Sequence, residues 1–216
     1  MDTAAAPPLP PYLGIALDHV KLVRTSDDAR AAMAALLAAD AIGFDTESKP
    51  TFVKGESSTG PHLIQLATDD IAYLFQVGAT PPLAELKAIL ESTTTLKVGF
   101  GLSDDVKRLR NKLGIVPAQV LDLSVALRGG QRNDLGAKTA VAKFFGLHLQ
   151  KSKKISTTNW ATSRLTEKQI LYAADDAQVA LRVYRRWIAD GGKVAPQKAP
   201  RASVPPAPPA PPAIPA

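Results

Sequence analysis

Short apolar runs alternate with segments of helical periodicity along most of this chain, and that alternation limits the possible folds more than any other feature. Two runs, HLIQLAT and IAYLFQV, are separated only by Asp69 and Asp70, a spacing that predicts a β-hairpin. The later runs are separated by helical segments, and strands joined through a helix usually pair in parallel. The sequence therefore predicts an α/β fold with a mixed β-sheet flanked by helices.

The predicted elements follow one another in a regular order. The patterns predict, in sequence, a helix capped by Ser26 in SDDARAAMAALLAAD, a strand AIGFD, the hairpin, a helix PPLAELKAILES, a strand TLKVGFG, a helix SDDVKRLRNKLG, a strand QVLDLS and a helix DLGAKTAVAKFFG. Thr166 and Gln169 then form a capping box that opens a long helix containing ILYAADDAQVALRVYRRWI. Apolar residues lie on two opposite faces of this helix, so we expect it to pack on both sides.

Proline is concentrated at the two ends of the chain, where four of the 18 prolines fall in residues 7–11 and nine in residues 196–216. Proline-rich segments without large apolar residues favour extended, solvated conformations. We therefore expect an N-terminal tail over residues 1–17, a single domain over residues 18–190, and a Pro/Ala-rich basic C-terminal tail over residues 191–216. The tails are expected to be solvated spacers, and docking of a partner through a proline-rich tail is the alternative.

Composition narrows the class of protein. With 45% apolar residues, the 216 residues are enough for one sizeable core. The formal charge of +6 favours a polyanionic partner, and the domain keeps +4 when the −1 of residues 1–17 and the +3 of residues 191–216 are set aside. Because the chain has no cysteine, it has no disulfide, thiolate metal site or cysteine nucleophile. It has no signal-peptide pattern and no apolar run of about 20 residues, so we expect a cytoplasmic protein without membrane association.

Two carboxylates end the strand in AIGFDTES. Asp45 and Glu47 are two positions apart, so in a strand both side chains point to the same face, while Phe44 and Thr46 point to the other. Two unit charges about 4 Å apart repel by roughly 4 kcal/mol at an effective dielectric constant near 20. The pair therefore needs protonation, a basic partner or a bound cation.

Two further acids are selected by helical phase. In GLSDDVKRLRNKLG, Asp105 lies about 70° from the centre of the apolar stripe and Asp104 about 170°, so Asp105 borders the buried face and Asp104 points to solvent. In the long helix, Asp176 lies inside an apolar stripe, one turn after Tyr172. A core aspartate beside a tyrosine is also compatible with a structural hydrogen-bonded pair. Asp175 has no such position on the stripe.

In order and spacing, these residues resemble the three motifs of the DEDD 3′-5′ exonucleases of the tyrosine subtype. The resemblance runs from about Val20 to Trp187 and includes LIQLAT after the first motif and KISTTNW before the third. The NWA and LTEKQILYAADDA segments are more similar to the Werner-type exonuclease domain than to ribonuclease D. The resemblance implies a ribonuclease H-like fold whose central strand carries Asp45 and Glu47, with later helices bringing Asp105 and Asp176 to them.

The resemblance also implies an activity, which is metal-dependent hydrolysis of DNA or RNA from a free 3′ end with release of nucleoside 5′-monophosphates. Four carboxylates, without a Lys or Arg expected to compensate them within the motifs, suit two hard divalent cations, Mg²⁺ or Mn²⁺. Carried over by position, the family pattern makes Asp45 the bridging ligand and places Asp105 on one metal. The same pattern places Glu47 and Asp176 on the metal that binds the attacking water, which Tyr172 would orient.

Basic residues are frequent between the second and third motifs. We expect five of them to contact the phosphates of the nucleic acid, although a solvated helix face would explain some of them equally well: Arg128, Arg132, Lys151, Lys153 and Lys154. Two alternative functions remain open at this point. One is a non-catalytic nucleic-acid-binding module on the same fold, and the other is an oligoribonuclease-like scavenger of short oligonucleotides.

Overall fold

A computed structural model of the protein describes residues 7–51, 55–56, 58–78, 81–129 and 133–194. Within these ranges the chain forms a six-stranded sheet. Its strands are β1 (Val20–Val23), β2 (Ala41–Glu47), β3 (Leu63–Ala67), β4 (Ala72–Gln76), β5 (Leu96–Gly99) and β6 (Val120–Asp122). The order across the sheet is β1-β4-β3-β2-β5-β6.

The sheet is mixed, as the sequence predicts. Strand β3 is antiparallel to both β2 and β4, and the predicted hairpin is the β3–β4 pair. The pairs β1–β4, β2–β5 and β5–β6 are parallel. Strand β2, which carries the two predicted carboxylates, therefore lies inside the sheet between β3 and β5.

Helices flank the sheet and provide the other residues of the predicted site. They are α1 (Ser26–Leu37), α2 (Leu83–Leu90), α3 (Ser103–Arg108), α4 (Leu123–Ala126), α5 (Ala137–Phe145), α6 (Lys153–Ser156) and α7 (Glu167–Ala189). A π-helical turn over Leu109–Leu113 continues α3. Among the described residues, no helix is both long enough and apolar enough to span a membrane.

Most predicted elements are confirmed, and the differences concern short elements and caps. The prediction omitted β1, α4 and α6, because four residues are too few to show a periodicity. The cap of α1 is Thr25 rather than Ser26, and Thr25 forms a capping box with Asp28. The capping box of Thr166 and Gln169 at the start of α7 is confirmed.

Helix α7 packs closely against the middle of the sheet. Its residues Ala174 and Ala177 are buried with Leu63 of β3, whereas Val179 and Val183 are buried against α5. The helix is therefore covered on two sides, as its two apolar faces predict.

Gly43 of β2 allows this close approach. A Cβ atom at position 43 would collide with the backbone carbonyl of Ala177 in α7. Because β2 and α7 lie this close together, the end of β2 comes near the acidic residues of α7.

The N-terminal segment differs from the predicted solvated tail over residues 10–15. The Tyr12 amide donates to the His148 carbonyl at 2.9 Å, and the His148 amide donates to the Pro10 carbonyl at 2.8 Å. Ile15 is buried, and its amide donates to Asp175 Oδ1 at 2.7 Å. The expectation of a solvated tail was based on the prolines of this segment. Tyr12 and Ile15, however, are large enough to anchor the segment on the domain. Residues 1–6 and 195–216 lie outside the described ranges, and the predicted limits of the domain stay predictions.

Candidate active site

The end of β2 directs two carboxylates towards α7. Asp45 pairs in register with Gln65 and Glu47 with Leu63, and Leu63 packs against α7 on that face of the sheet. Burial raises the pKa of Asp45 well above its usual value, and the charges of nearby acids raise it further. The pKa of Glu47 rises to about 9, first through burial and then through the charge of Asp45. The predicted repulsion between these groups is therefore present in the structure.

Helix α7 adds Tyr172 and Asp176 to the same place. Asp176 is buried, and burial raises its pKa. Burial, followed by the charges of Asp176 and Glu47, also raises the pKa of the Tyr172 phenol, so the phenol keeps its proton at neutral pH. The Tyr172 ring lies 6.1 Å from the ring of buried Trp160, whose Nε1 donates to the Ser156 carbonyl at 3.1 Å. The KISTTNW segment thus helps to position the tyrosine.

Helix α3 supplies the fourth acid from the other side of β2. Asp105 is buried and accepts hydrogen bonds from the Thr46 hydroxyl and from Arg108 Nη2, the latter at 2.8 Å. Asp104 is exposed and pairs with Lys107 at 3.2 Å. The helical phase therefore predicted the environments of both aspartates correctly. Thr46 lies on the opposite face of β2 from Asp45, and the charge of Asp105 nevertheless raises the pKa of Asp45.

The expectation that no Lys or Arg compensates the acids within the motifs is wrong for Asp105, which pairs with Arg108 of the same helix. Besides Arg108 on Asp105, Lys151 Nζ lies 2.8 Å from Asp176 Oδ1, and the two side chains are 29% and 5% exposed. Lys151 is 25 positions from Asp176 in the sequence, so no local pattern could have indicated this pair. Arg108 follows Asp105 by three positions and could have been recognised as an i, i+3 partner.

The acids of the site have the chemistry of ligands for a hard divalent cation, but their side chains are not arranged around one. In the part of the chain that the structure describes, no group of three or more His, Asp or Glu side chains has the geometry of a metal site. Asp105 and Asp176 are instead directed to Arg108 and Lys151. The donor chemistry nevertheless fits, because carboxylate oxygens are what Mg²⁺ and Mn²⁺ prefer, and the repulsion that raises the pKa of Asp45 is one that a cation would relieve.

Among the described residues, the other basic residues predicted to contact nucleic acid form no ion pair with the four acids. Lys153 and Lys154 are exposed on α6, and Arg128 is exposed and pairs with Asp134 at 3.5 Å. Arg132 lies outside the described residues. These basic residues stay predictions.

Two features of the site were not recognised in the sequence. A surface cavity of about 530 Å³ lies beside Tyr172 and is lined by, among others, Lys138, His148, Lys151, Lys168, Tyr172 and Asp175. Gln65 is fully buried opposite Asp45, and its amide has no hydrogen-bond partner among the described residues. The buried glutamine in LIQLAT is an unusual residue for a central strand and could have been noticed. The cavity unites residues from α5, α7 and the loop between α5 and α6, so only the fold could reveal it.

Comparison with known proteins identifies a 3′-5′ exonuclease domain, the type of domain that the sequence motifs resemble. A family model described as 3′-5′ exonuclease matches residues 20–186. The mouse bifunctional 3′-5′ exonuclease/ATP-dependent helicase WRN is 29% identical over 150 residues, which cover 68% of this chain and 11% of that protein. Ribonuclease D of Gluconacetobacter diazotrophicus is 29% identical over 168 residues, covering 76% of this chain and 41% of that protein. The chain spans between 11% and 51% of the length of the first four curated relatives.

Solved structures agree in fold. The Aedes aegypti Nibbler EXO domain has a TM-score of 0.70 and 26% identity, and the match covers 82% of this chain and 93% of that chain. Escherichia coli RNase D has a TM-score of 0.67 and 26% identity, covering 80% of this chain and 46% of that chain. These neighbours are ribonuclease H-like exonuclease domains, so the predicted fold class is confirmed.

Proposed function

The chain belongs to the 3′-5′ exonuclease family, and on that premise we propose that it hydrolyses nucleic acid from the 3′ end and releases nucleoside 5′-monophosphates. The observation that carries the proposal is the meeting of four carboxylates and a neutral tyrosine at one end of the sheet. Water would attack the last phosphodiester, the bond from phosphorus to the 3′ oxygen of the preceding nucleotide would break, and that oxygen would take up a proton. The phosphate stays on the 5′ oxygen of the released nucleotide, which is therefore a nucleoside 5′-monophosphate.

The acids in this proposal hold divalent cations, on which the family generally depends. Two Mg²⁺ or Mn²⁺ ions, when bound, would supply a nucleophilic hydroxide and offset the charge on the leaving oxygen. Asp45 would contact both ions and Asp105 one of them. Glu47 and Asp176 would hold the ion beside the attacking water.

Tyr172 has a different part in the proposal. Its raised pKa keeps the phenol protonated at neutral pH, so it cannot serve there as a general base. A protonated phenol can still donate or accept a hydrogen bond. We assign Tyr172 the orientation of the attacking water, with Trp160 holding the ring in place.

The strand that carries the 3′ end would lie along basic residues near the acids. Lys138 and Lys168 line the cavity beside Tyr172, and Lys153 and Lys154 are exposed on the short helix α6. Lysine side chains bind phosphates of DNA and RNA without regard to sequence. Arg128 and Arg132 complete the proposed contacts.

Digestion of labelled oligonucleotides tests the function. With Mn²⁺ present, a 3′-labelled DNA or RNA oligonucleotide should release its label at once as a nucleoside 5′-monophosphate. The same oligonucleotide labelled at the 5′ end should give a ladder that shortens from the 3′ end. Excess EDTA should abolish both reactions, and added Mg²⁺ or Mn²⁺ should restore them. Full activity in excess EDTA, or early release of the 5′ label, would contradict the proposal.

A further inference from the structure

Lys151 lies inside the acid cluster, which consists of Asp45, Glu47 and Asp176, rather than on a solvated surface. Its Nζ is 2.8 Å from Asp176 Oδ1, and Asp176 is almost fully buried. Burial by itself would lower the pKa of Lys151, but the charge of Asp176 and then that of Asp45 outweigh burial and raise it. The ammonium is therefore present at neutral pH.

This one ammonium affects the whole acid cluster. Besides its ion pair with Asp176, Lys151 is close enough to act by its charge on Asp45 and Glu47. Among the described residues, neither Asp45 nor Glu47 forms an ion pair of its own, and Asp105 is paired with Arg108. Lys151 thus provides charge compensation of the kind that a divalent cation would provide.

We propose that Lys151 is a resident counter-ion of the acid cluster, and that it competes with the divalent cation for Asp176 and leaves Asp176 when the cation binds. The proposal rests on the metal dependence of the proposed function. It follows from two constraints. An ammonium 2.8 Å from a carboxylate oxygen occupies one of the lone-pair positions that a metal would use, and an ammonium and a divalent cation at the same carboxylate repel each other.

The structure gives the lysine side chain a place to move. The Lys151 side chain is 29% exposed and also lines the open cavity of about 530 Å³ beside Tyr172. A long, flexible lysine side chain can turn into such a cavity and keep its charge in water. In that position it would face the nucleic acid, which reconciles its place in the acid cluster with the phosphate contact predicted from the sequence.

Mn²⁺ affinity of the metal-free protein tests the competition without any nucleic acid. Free Mn²⁺ is measured by electron paramagnetic resonance at constant pH for the wild type, Lys151→Met and Lys151→Arg. We expect Lys151→Met to bind Mn²⁺ about tenfold more tightly, which corresponds to about 1.4 kcal/mol, because the competitor is gone. Lys151→Arg keeps the charge and should stay within about threefold of the wild type. Lys138→Ala is the matched control, since Lys138 lines the same cavity without an ion pair among the described residues, and its affinity should not change.

Thermal unfolding gives a second measurement on the same proteins. Without metal, Lys151→Met should melt below the wild type because Asp176 stays buried without its partner. Saturating Mn²⁺ should raise its melting temperature by more than it raises that of the wild type. If Lys151→Met does not fold, the wild type alone still tests the proposal. Acetylation of Lys151 by acetic anhydride, followed by mass spectrometry, should then become faster when Mn²⁺ is added.

The outcomes separate this inference from the proposed function. Equal or weaker Mn²⁺ binding by Lys151→Met would overturn the competition while leaving a metal-dependent exonuclease intact. A rate of Lys151 acetylation that Mn²⁺ does not change would overturn it as well. If neither protein binds Mn²⁺ and digestion proceeds in EDTA, the metal dependence itself is wrong, and the inference fails with it.

Discussion

Adjacent aspartates in α3 and α7 have different environments, because one step along an α-helix turns a side chain by 100°. Asp105 is buried near β2, whereas the Asp104 side chain is 72% exposed and pairs with Lys107. Asp176 lies among the acids, whereas Asp175 faces the N-terminal segment and accepts a hydrogen bond from the Ile15 amide. At the residue scale, helical phase decides which aspartate of each pair is buried.

Replacing one aspartate of the α3 pair tests this distinction. Asp105→Asn should lower the rate by about 10³-fold or more, as should Asp176→Asn, because a neutral amide lacks the charge that a divalent cation requires. Asp104→Asn removes only an exposed ion pair and should stay within about twofold of the wild type. Single-turnover digestion of a short oligonucleotide measures all three variants. An inactive Asp104→Asn together with an active Asp105→Asn would show that the wrong aspartate has been assigned.

At the scale of elements, segments far apart in the sequence hold one another in place. The N-terminal segment contacts the loop after α5 through His148 and contacts α7 through Asp175. The Tyr12 ring packs against Phe145 at 6.3 Å, and its hydroxyl accepts a hydrogen bond from Arg182 at 3.2 Å. These contacts secure the turn of α7 that carries Asp176.

Deletion of this segment should destabilise the domain. Removing residues 1–15 breaks the backbone pairing with His148 and uncovers apolar surface, so the melting temperature should fall by several degrees, as expected for a loss of about 2 kcal/mol. Removing residues 1–6, which precede these contacts, should have no measurable effect. Asp175→Asn keeps an acceptor for the Ile15 amide and should be milder than Asp175→Leu. Equal melting temperatures for both deletions would show that the segment does not support the fold.

The second residue of β5, Lys97, has no acidic partner in the part of the chain that the structure describes. Lys97 is fully buried, and its Nζ donates to the Ser92 carbonyl at 2.6 Å and to the Thr95 carbonyl at 2.8 Å. Burial lowers its pKa from 10.5 to about 8. Between those two values the unfolded chain binds a proton that the folded protein does not, so the contribution of Lys97 to stability rises with pH.

Comparison of the wild type with Lys97→Met isolates this contribution. The difference in the free energy of unfolding should move in favour of the wild type as the pH rises from about 8 to about 10.5, and it should be constant below that window. Urea denaturation at several pH values measures it, and groups common to both proteins cancel in the difference. A difference that does not change with pH would mean that Lys97 keeps its ordinary pKa in the folded protein.

At the scale of the whole molecule, one helix connects the core with the site. Helix α7 packs on the sheet with Ala174 and Ala177, on α5 with Val179 and Val183, and carries Asp176 between these contacts. Packing on both sides restricts rotation of the helix. The carboxylate is therefore held by the core of the domain rather than by a surface loop.

The C-terminal residues 195–216, which lie outside the described ranges, should not be required for catalysis. They contain only two large apolar residues, Val204 and Ile214, which are too few to complete a core. Their removal should leave the rate on short oligonucleotides within about twofold, because the segment follows the helix that carries the site. Digestion by the truncated and full-length chains measures this. A strong loss of rate or solubility would show that the segment docks on the domain or on a partner.

Local patterns in the sequence by themselves determined the mixed sheet, the hairpin and the phase of Asp105 and Asp176, because side-chain direction in a strand or helix depends only on nearby positions. Tertiary structure alone decided that Lys151 pairs with Asp176 and that the N-terminal segment packs on α7. Charged side chains and backbone amides that are many residues apart come into contact only after the sheet and α7 have packed together. The periodicity of the sequence is a local property, so it cannot predict such contacts. The sequence thus predicted the acids of the site, whereas the fold determined that the ammonium of Lys151 lies beside Asp176.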